Sequence, residues 1–387
     1  MTAPRRLVTF GWLAGLAIAA PVLLSAFIQA MPDAGEMAAV RRIAHPPLGL
    51  PPLPPEVQST AQMIALGRKL FFDRSLSING TMSCGMCHVP EQGFTNNELA
   101  TPLGVEGRSL RRNAPTLFNV AYATALFHDG RELHLETQAL MPLIDRAEMA
   151  NPSLGLLIAR LRGNPWYADA FATAFGEPVN VRSLGQALAA YQRTLLSANA
   201  PFDRWRYGND PKAMSGEAIR GFALFAGKAG CASCHLIGER HALFTDYGFH
   251  NTGTGELRRR GGDGSVSIAL APDLVVNLAR RIVQSVAEPE ARDDGRLEVT
   301  SRPEDLHRYK TPSLRNVALT GPYMHDGALA SLDQVVRHYD GGGTGAPGQD
   351  PRIRPLNLSE EEIRDLVSFL HSLTGDNVHE LVREARD

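Results

Sequence analysis

The sequence predicts an all-α, loop-rich protein of two related domains, and three observations carry that reading. Apolar residues recur at helical spacing: Val181, Leu184, Leu188, Tyr191 and Leu195, separated by 3, 4, 3 and 4, fall on one helix face. Alternating strand patterns are scarce. A block running from Pro115-Thr-Leu-Phe-Asn-Val-Ala to Phe127-His128-Asp129-Gly130 returns without a gap, 197 residues later, as Pro312-Ser-Leu-Arg-Asn-Val-Ala to Met324-His325-Asp326-Gly327.

In chain order, residues 7 to 30 carry no charge and follow Arg5-Arg6, the layout of a signal peptide or, at that length, an N-terminal membrane anchor. Export to the periplasm is expected, with Ala30 as a candidate cleavage position. Residues 31–55 read as a Pro-rich linker, since Pro46-Pro47 and the run Pro51-Pro52-Leu53-Pro54-Pro55 favour an extended lead-in without helix. Folding should start near residue 56, with an N-terminal domain over 56–212 and a C-terminal domain over 213–387. The second domain carries an insertion, because 77 residues separate His235 from the repeated proline against 27 from His88. The last helix is the best marked: Ser359 as N-cap, Glu362 closing a capping box, Leu358 and Ile363 as a staple, and Gly375 past its end.

Composition agrees and excludes other classes. The 387 residues suffice for two domains with sizeable cores, and 36 glycines with 26 prolines signal long connections. With 44% apolar and 21% charged residues, disorder, collagen and a polytopic membrane protein are poor fits. A net charge of −2 gives no basic field to attract nucleic acid, and Arg258-Arg259-Arg260 reads as a solvated loop.

All four cysteines lie in two Cys-x-x-Cys-His units, Cys84-Gly-Met-Cys87-His88 and Cys231-Ala-Ser-Cys234-His235. This is the attachment signature of c-type haem. Two thiols at that spacing add to the two vinyl groups of one macrocycle, and the next histidine lies beneath the iron as its proximal ligand. A four-cysteine zinc site, a redox dithiol and two disulfides are the other readings. Export, a histidine after both pairs and no cysteine left over favour haem, one covalently bound to each domain.

These motifs, together with Arg112-Asn113-Ala114-Pro115-Thr116-Leu117 and Pro322-Tyr323-Met324-His325-Asp326-Gly327, resemble those of the bacterial dihaem cytochrome c peroxidase and MauG family over nearly all of residues 60 to 375. The resemblance implies two cytochrome c-like domains, the first peroxidatic and the second electron-transferring. In that family the far ligand of the second haem stands 14 residues after the Met-His-Asp-Gly histidine, at Tyr339 here. Peroxidases of the family commonly have methionine there, and MauG-like members tyrosine. Met324, the only methionine after His235, merely precedes the landmark histidine. Without the family, Tyr339 is a helix-end aromatic packing on the core. As a ligand, its phenolate would lower the reduction potential and help to store an oxidising equivalent.

The 197-residue offset maps Tyr339 onto Pro142, which has no donor atom, and residues 89 to 112 contain no histidine. The first haem is therefore expected to be five-coordinate on His88. The resemblance places Glu148 at the acid/base position that moves a proton between the peroxide oxygens, with Gln138 and Pro142 beside it; alone, Glu148 would read as a surface residue. Asn113, Thr320 and Pro322 resemble the family's interdomain calcium site, although by themselves Asn113 suits a turn and Thr320 a cap. One departure is His128, where the family usually has a tryptophan between the haems; Trp12, Trp166 and Trp205 lie elsewhere. His128 either relays charge or hydrogen-bonds between the domains.

The functional expectation is a MauG-like dihaem enzyme: H2O2 reacts at the His88 haem, a high-valent dihaem state forms, and a partner protein is oxidised and so modified. The alternatives are a peroxidase that reduces H2O2 with electrons from a small c-type cytochrome, and a plain dihaem electron-transfer cytochrome.

Overall fold

In the computed structural model, residues 33–54, 59–255, 265–271, 274–279 and 293–386 are described. The leader, its cleavage or anchoring, and Arg258–Arg260 lie outside them. No helix among the described residues is long and apolar enough to cross a membrane.

Ten helices of seven residues or more are described. Those of the first half are α1 (Ala34–Ala44), α2 (Ala61–Phe72), α3 (Leu154–Arg162), α4 (Pro165–Phe175), α5 (Val181–Arg193) and α6 (Pro201–Tyr207). Those of the second are α7 (Gly216–Ala226), α8 (Leu332–Asp340), α9 (Glu360–His371) and α10 (Val378–Arg386). Side-chain caps start most of them, as at Thr60, Asn180, Ser215 and Ser359, where an oxygen accepts an otherwise orphaned N–H. Strands are minor: β1 (Phe249–His250) pairs antiparallel with β4 (Tyr309–Lys310), and β2 (Ser265–Ala271) with β3 (Leu274–Ala279) inside the insertion of the second half.

Two apolar cores result. One gathers Leu70, Phe71, Leu184, Leu188 and Tyr191 around α2 and α5; the other gathers Phe225, Phe244, Leu366 and Phe369 around α7 and α9. Of the five residues expected on one face of α5, Leu184, Leu188 and Tyr191 are buried in the helix, Leu195 is buried just beyond it, and Val181 in its first turn is exposed. Each central helix pair crosses at a glycine: a Cβ on Gly67 would collide with the Ala187 carbonyl oxygen, and one on Gly221 with that of Asp365. Gly221→Ala is accordingly expected to cost about 1–3 kcal/mol through overpacking, despite alanine's better helix propensity. Gly216→Ala, at an open position of the same helix, should cost nothing. Denaturant melts of the two variants test this, and equal stability would show that the crossing tolerates a methyl group.

The internal repeat extends to the backbone. Asn119 and Asn316 both take left-handed φ values of 60°, and Phe127 and Met324 take 63° and 74°. The bridge between Leu126 and Glu132 is matched by one between Tyr323 and Leu329. The two asparagines meet one shared segment: Ser197 N–H donates to Asn119 Oδ1 (2.9 Å), and Ser197 Oγ to Asn316 Oδ1 (3.1 Å).

Two expectations need correction. Residues 34–44 of the expected linker are helical: α1 opens with a reciprocal capping box between Asp33 and Glu36, and its Arg42 pairs with Glu384 of α10. The prolines act only after it, where residues 46–54 form no helix, turn at Leu48–Gly49 with Leu50 N–H donating to Pro47 O (3.1 Å), and are pinned by Arg315, whose guanidinium bonds Gly49 O (2.6 Å) and both oxygens of buried Asp203. At the other end, the Ser359–Glu362 box stands, but α9 is not the last helix, and Ser372 caps its C-terminus. Gly375 serves close approach instead, since a Cβ there would strike Ser197 and Ala198.

Candidate functional site

The two Cys-x-x-Cys-His motifs face one continuous cavity of about 860 Å³ at the boundary of the two halves. His88 and His235 are held alike by loops that follow them. His88 Nδ1 meets Phe94 O at 3.0 Å and His235 Nδ1 meets Phe244 O at 2.8 Å. A ring nitrogen that donates to a backbone carbonyl leaves Nε2 with the lone pair, the state a metal-ligating imidazole needs. Burial lowers both histidines' proton affinity and keeps them neutral. The neighbouring sulfurs are uncharged as well. Burial pushes the Cys84 and Cys87 thiols up to about 12 and Cys231 to about 11, suiting thioether linkage better than a thiolate–zinc centre. The donor set fits two c-type haems.

The cavity that the first motif faces is also lined by Gln138, from the turn Leu135–Gln138, Pro142, from the turn Met141–Ile144, and Glu148, which lies near enough to raise the Cys84 and Cys87 thiols. Backbone bonds hold Glu148 in place: its N–H donates to Asp145 O (3.2 Å) and its carbonyl accepts from Val105 N–H (2.9 Å). Gly104 makes room, because a Cβ there would meet the Ala147 carbonyl oxygen. Burial, reinforced by Asp145 and partly offset by Arg131, lifts the Glu148 carboxyl to about 7. It can therefore both take and give a proton near neutrality.

Tyr339 lines the second end of the cavity from the last turn of α8. Burial and then the nearby Cys231 and Cys234 sulfurs raise its phenol above the ordinary 10. Ionisation there requires a compensating cation, which a haem iron would supply. Met324 also lines the cavity, from the repeated loop.

Asn113, Thr320 and Pro322 all line the same cavity. Asn113 donates its amide to Ala100 O (2.9 Å), leaving Oδ1 free to accept, and the Thr320 hydroxyl donates to Val317 O (3.2 Å). His128 lines the cavity as well, with Nε2 at 2.9 Å from Asn113 O. Burial lowers it to about 4, so the ring is neutral and donates that bond. Its own carbonyl accepts from Lys310 N–H (2.7 Å), joining the two halves.

Sequence reasoning assigned nothing to the ion network beside His128. Arg112 forms a two-point pair with Asp293 (2.8 and 2.6 Å) and also meets Asp129, which in turn binds Arg131 at 3.0 Å. Against the cost of burial, Arg112 holds the Asp293 carboxyl well below the usual range. Arg112 adjoins a repeated landmark and was findable; Asp293 lies in the insertion, with no counterpart in the first half. Near the second motif, His250 sits between Asp246 (3.0 Å) and Asp350 (2.9 Å). With Cys234, Asp246 and His250 form the one group of metal-binding spacing among the described residues. Haem attachment uses that cysteine.

A family model described as di-haem cytochrome c peroxidase matches residues 61–211. The methylamine utilization protein MauG of Methylorubrum extorquens is 40% identical over 319 residues, 82% of this chain and 79% of its own length. Cytochrome-c peroxidase IdrP1 of Denitromonas iodatirespirans is 39% identical over 351 residues, 87% of this chain and 89% of its own. Among solved structures, a MauG-like protein associated with microbial copper homeostasis superposes with a TM-score of 0.69 at 29% identity, covering 86% of this chain and 96% of that one.

Proposed function

Because the chain belongs to the di-haem cytochrome c peroxidase and MauG family of haem-dependent oxidoreductases, we propose that it is a MauG-like member that uses H2O2 to oxidise a partner protein. Two covalent c-type haems, held through Cys84, Cys87 and His88 and through Cys231, Cys234 and His235, supply the electron-accepting chemistry. Glu148 takes the proton of the near peroxide oxygen and delivers it to the far one, which leaves as water as the O–O bond breaks; the two electrons taken up would come from the haem pair and be replaced by the partner protein, and the remaining oxygen leaves as a second water with two further protons. Gln138 orients the peroxide by hydrogen bonding. Pro142, without a side-chain donor atom, would offer no ligand to the haem that His88 holds. Tyr339 would offer its phenolate oxygen to the haem that His235 holds. Asn113, Thr320 and Pro322 offer oxygens to a calcium ion, and His128 contributes to charge exchange between the halves. Residues 1–30 direct the chain to the periplasm.

The observation that carries the MauG-like reading is Tyr339 beside the Cys231 and Cys234 sulfurs. A peroxidase coupled to a small c-type cytochrome is the second reading, favoured by the 39% identity to IdrP1. One equivalent of H2O2 added to the diferric protein separates them. We expect a long-lived oxidised state, indifferent to reduced cytochrome c and discharged by the partner protein. Rapid return to ferric only with the cytochrome, over many turnovers, would establish the peroxidase. Two six-coordinate resting haems unreactive toward H2O2 would leave an electron carrier.

A further inference from the structure

Six cations line the cavity. Arg111, Arg112, Arg131 and Arg352 each face a carboxylate, of Glu298, Asp293, Asp129 and Asp350 respectively, and Arg354 is open to solvent at the rim. Lys310 differs from all five. It is partly buried, and no carboxylate among the described residues lies within ion-pairing distance of its ammonium. Its ammonium lies over the face of the Tyr247 ring, 5.6 Å from ring centre to Nζ. Its backbone is fixed at the domain boundary by pairing in the β1–β4 ladder and by the bond to His128 O. Desolvation without an anion pulls its proton affinity down, to about 8.

An ammonium taken out of water is strongly destabilising unless an opposite charge accompanies it. Among the described residues none does so for Lys310, which makes an anionic occupant of the cavity the natural partner. This step rests on the haem reading above. A c-type haem carries two propionate carboxylates as its anionic groups, and the cavity that Lys310 enters is the one both motifs face.

We propose that Lys310 is the ammonium partner of a haem propionate at the boundary between the two domains. It is a positioning residue: it holds one macrocycle's acidic edge and adds a fixed positive charge that favours the ferrous form of that haem.

The test is a redox titration of each haem in the holoprotein, with haem content measured on the same samples. In Lys310→Met with both haems attached, the ferrous-to-ferric ratio of one haem at fixed applied potential should fall on the order of tenfold, as expected for loss of one partly buried charge. The haem that moves is the one whose propionate is held. Lys310→Arg should remain near wild type in the titration, while the propionate-bending bands in its resonance Raman spectrum shift. Unchanged titrations in Lys310→Met overturn the proposal; if that variant does not fold, unchanged propionate bands in Lys310→Arg do so. Wild-type protein that cannot take up two haems overturns the cofactor reading itself, a different outcome from a dihaem protein indifferent to residue 310.

Discussion

Glu148→Gln is expected to retain both haems and to react with H2O2 about 10²–10⁴-fold more slowly, the usual contribution of a placed acid/base group. The proton must leave the near oxygen before the bond to the far one breaks, and glutamine can accept no proton. The carboxyl's position near 7 also fixes the sign of the pH dependence. Only the ionised form accepts the proton, so the wild-type rate should be maximal above about pH 7 and fall roughly tenfold for each pH unit below it. The variant should show no such limb. Stopped-flow mixing with H2O2 from pH 5 to 9 provides the measurement, and a wild-type-like profile in the variant removes Glu148 from the mechanism.

Tyr339→Phe is the second large effect. The phenol is buried beside the second motif's sulfurs and un-ionised without a cation, so its role as a ligand rests on an iron that favours the phenolate. Phenylalanine keeps the ring and its packing but removes the donor oxygen. The resting spectrum of the second haem should change, its reduction potential should rise, and the oxidised state should decay on the order of tenfold faster or more, since axial-ligand identity sets the haem's potential. A resting spectrum identical to wild type would dismiss Tyr339 as a ligand and return it to ordinary core packing.

Much of this site was legible because covalent haem attachment demands fixed sequence spacing: the two Cys-x-x-Cys-His units and the 197-residue repeat could be read directly. Glu148, Gln138 and Tyr339 needed the family resemblance, since their spacing alone suits surface or core equally well. Helix α1 went unread because the prolines that follow it dominated the reading, whereas the Asp33–Glu36 box and the Arg42–Glu384 pair define it. Gly375 was misread for a related reason: glycine after a helix signals a cap, but here it answers crowding by Ser197 and Ala198, over 170 residues away in the chain. The Arg112–Asp293 pair and the position of Lys310 away from every carboxylate among the described residues are products of tertiary placement, which no local pattern encodes.

Helix α10 brings the end of the chain back to its beginning. Leu381 and Ala385 belong to the first core, Glu384 pairs with Arg42 of α1, and Arg386 with Glu91 just after the first motif. The N-terminal half thus lacks part of its interior until nearly the whole polypeptide is available. Vectorial delivery of the chain would present Cys84 and Cys87 before their surroundings can be completed, giving the attachment machinery an open site. The closing contacts span about three hundred residues or more in sequence, so their formation is a late, entropically costly event. Shortening the C-terminus should therefore weaken the N-terminal half, which is distant in sequence, more than the half in which the truncation lies.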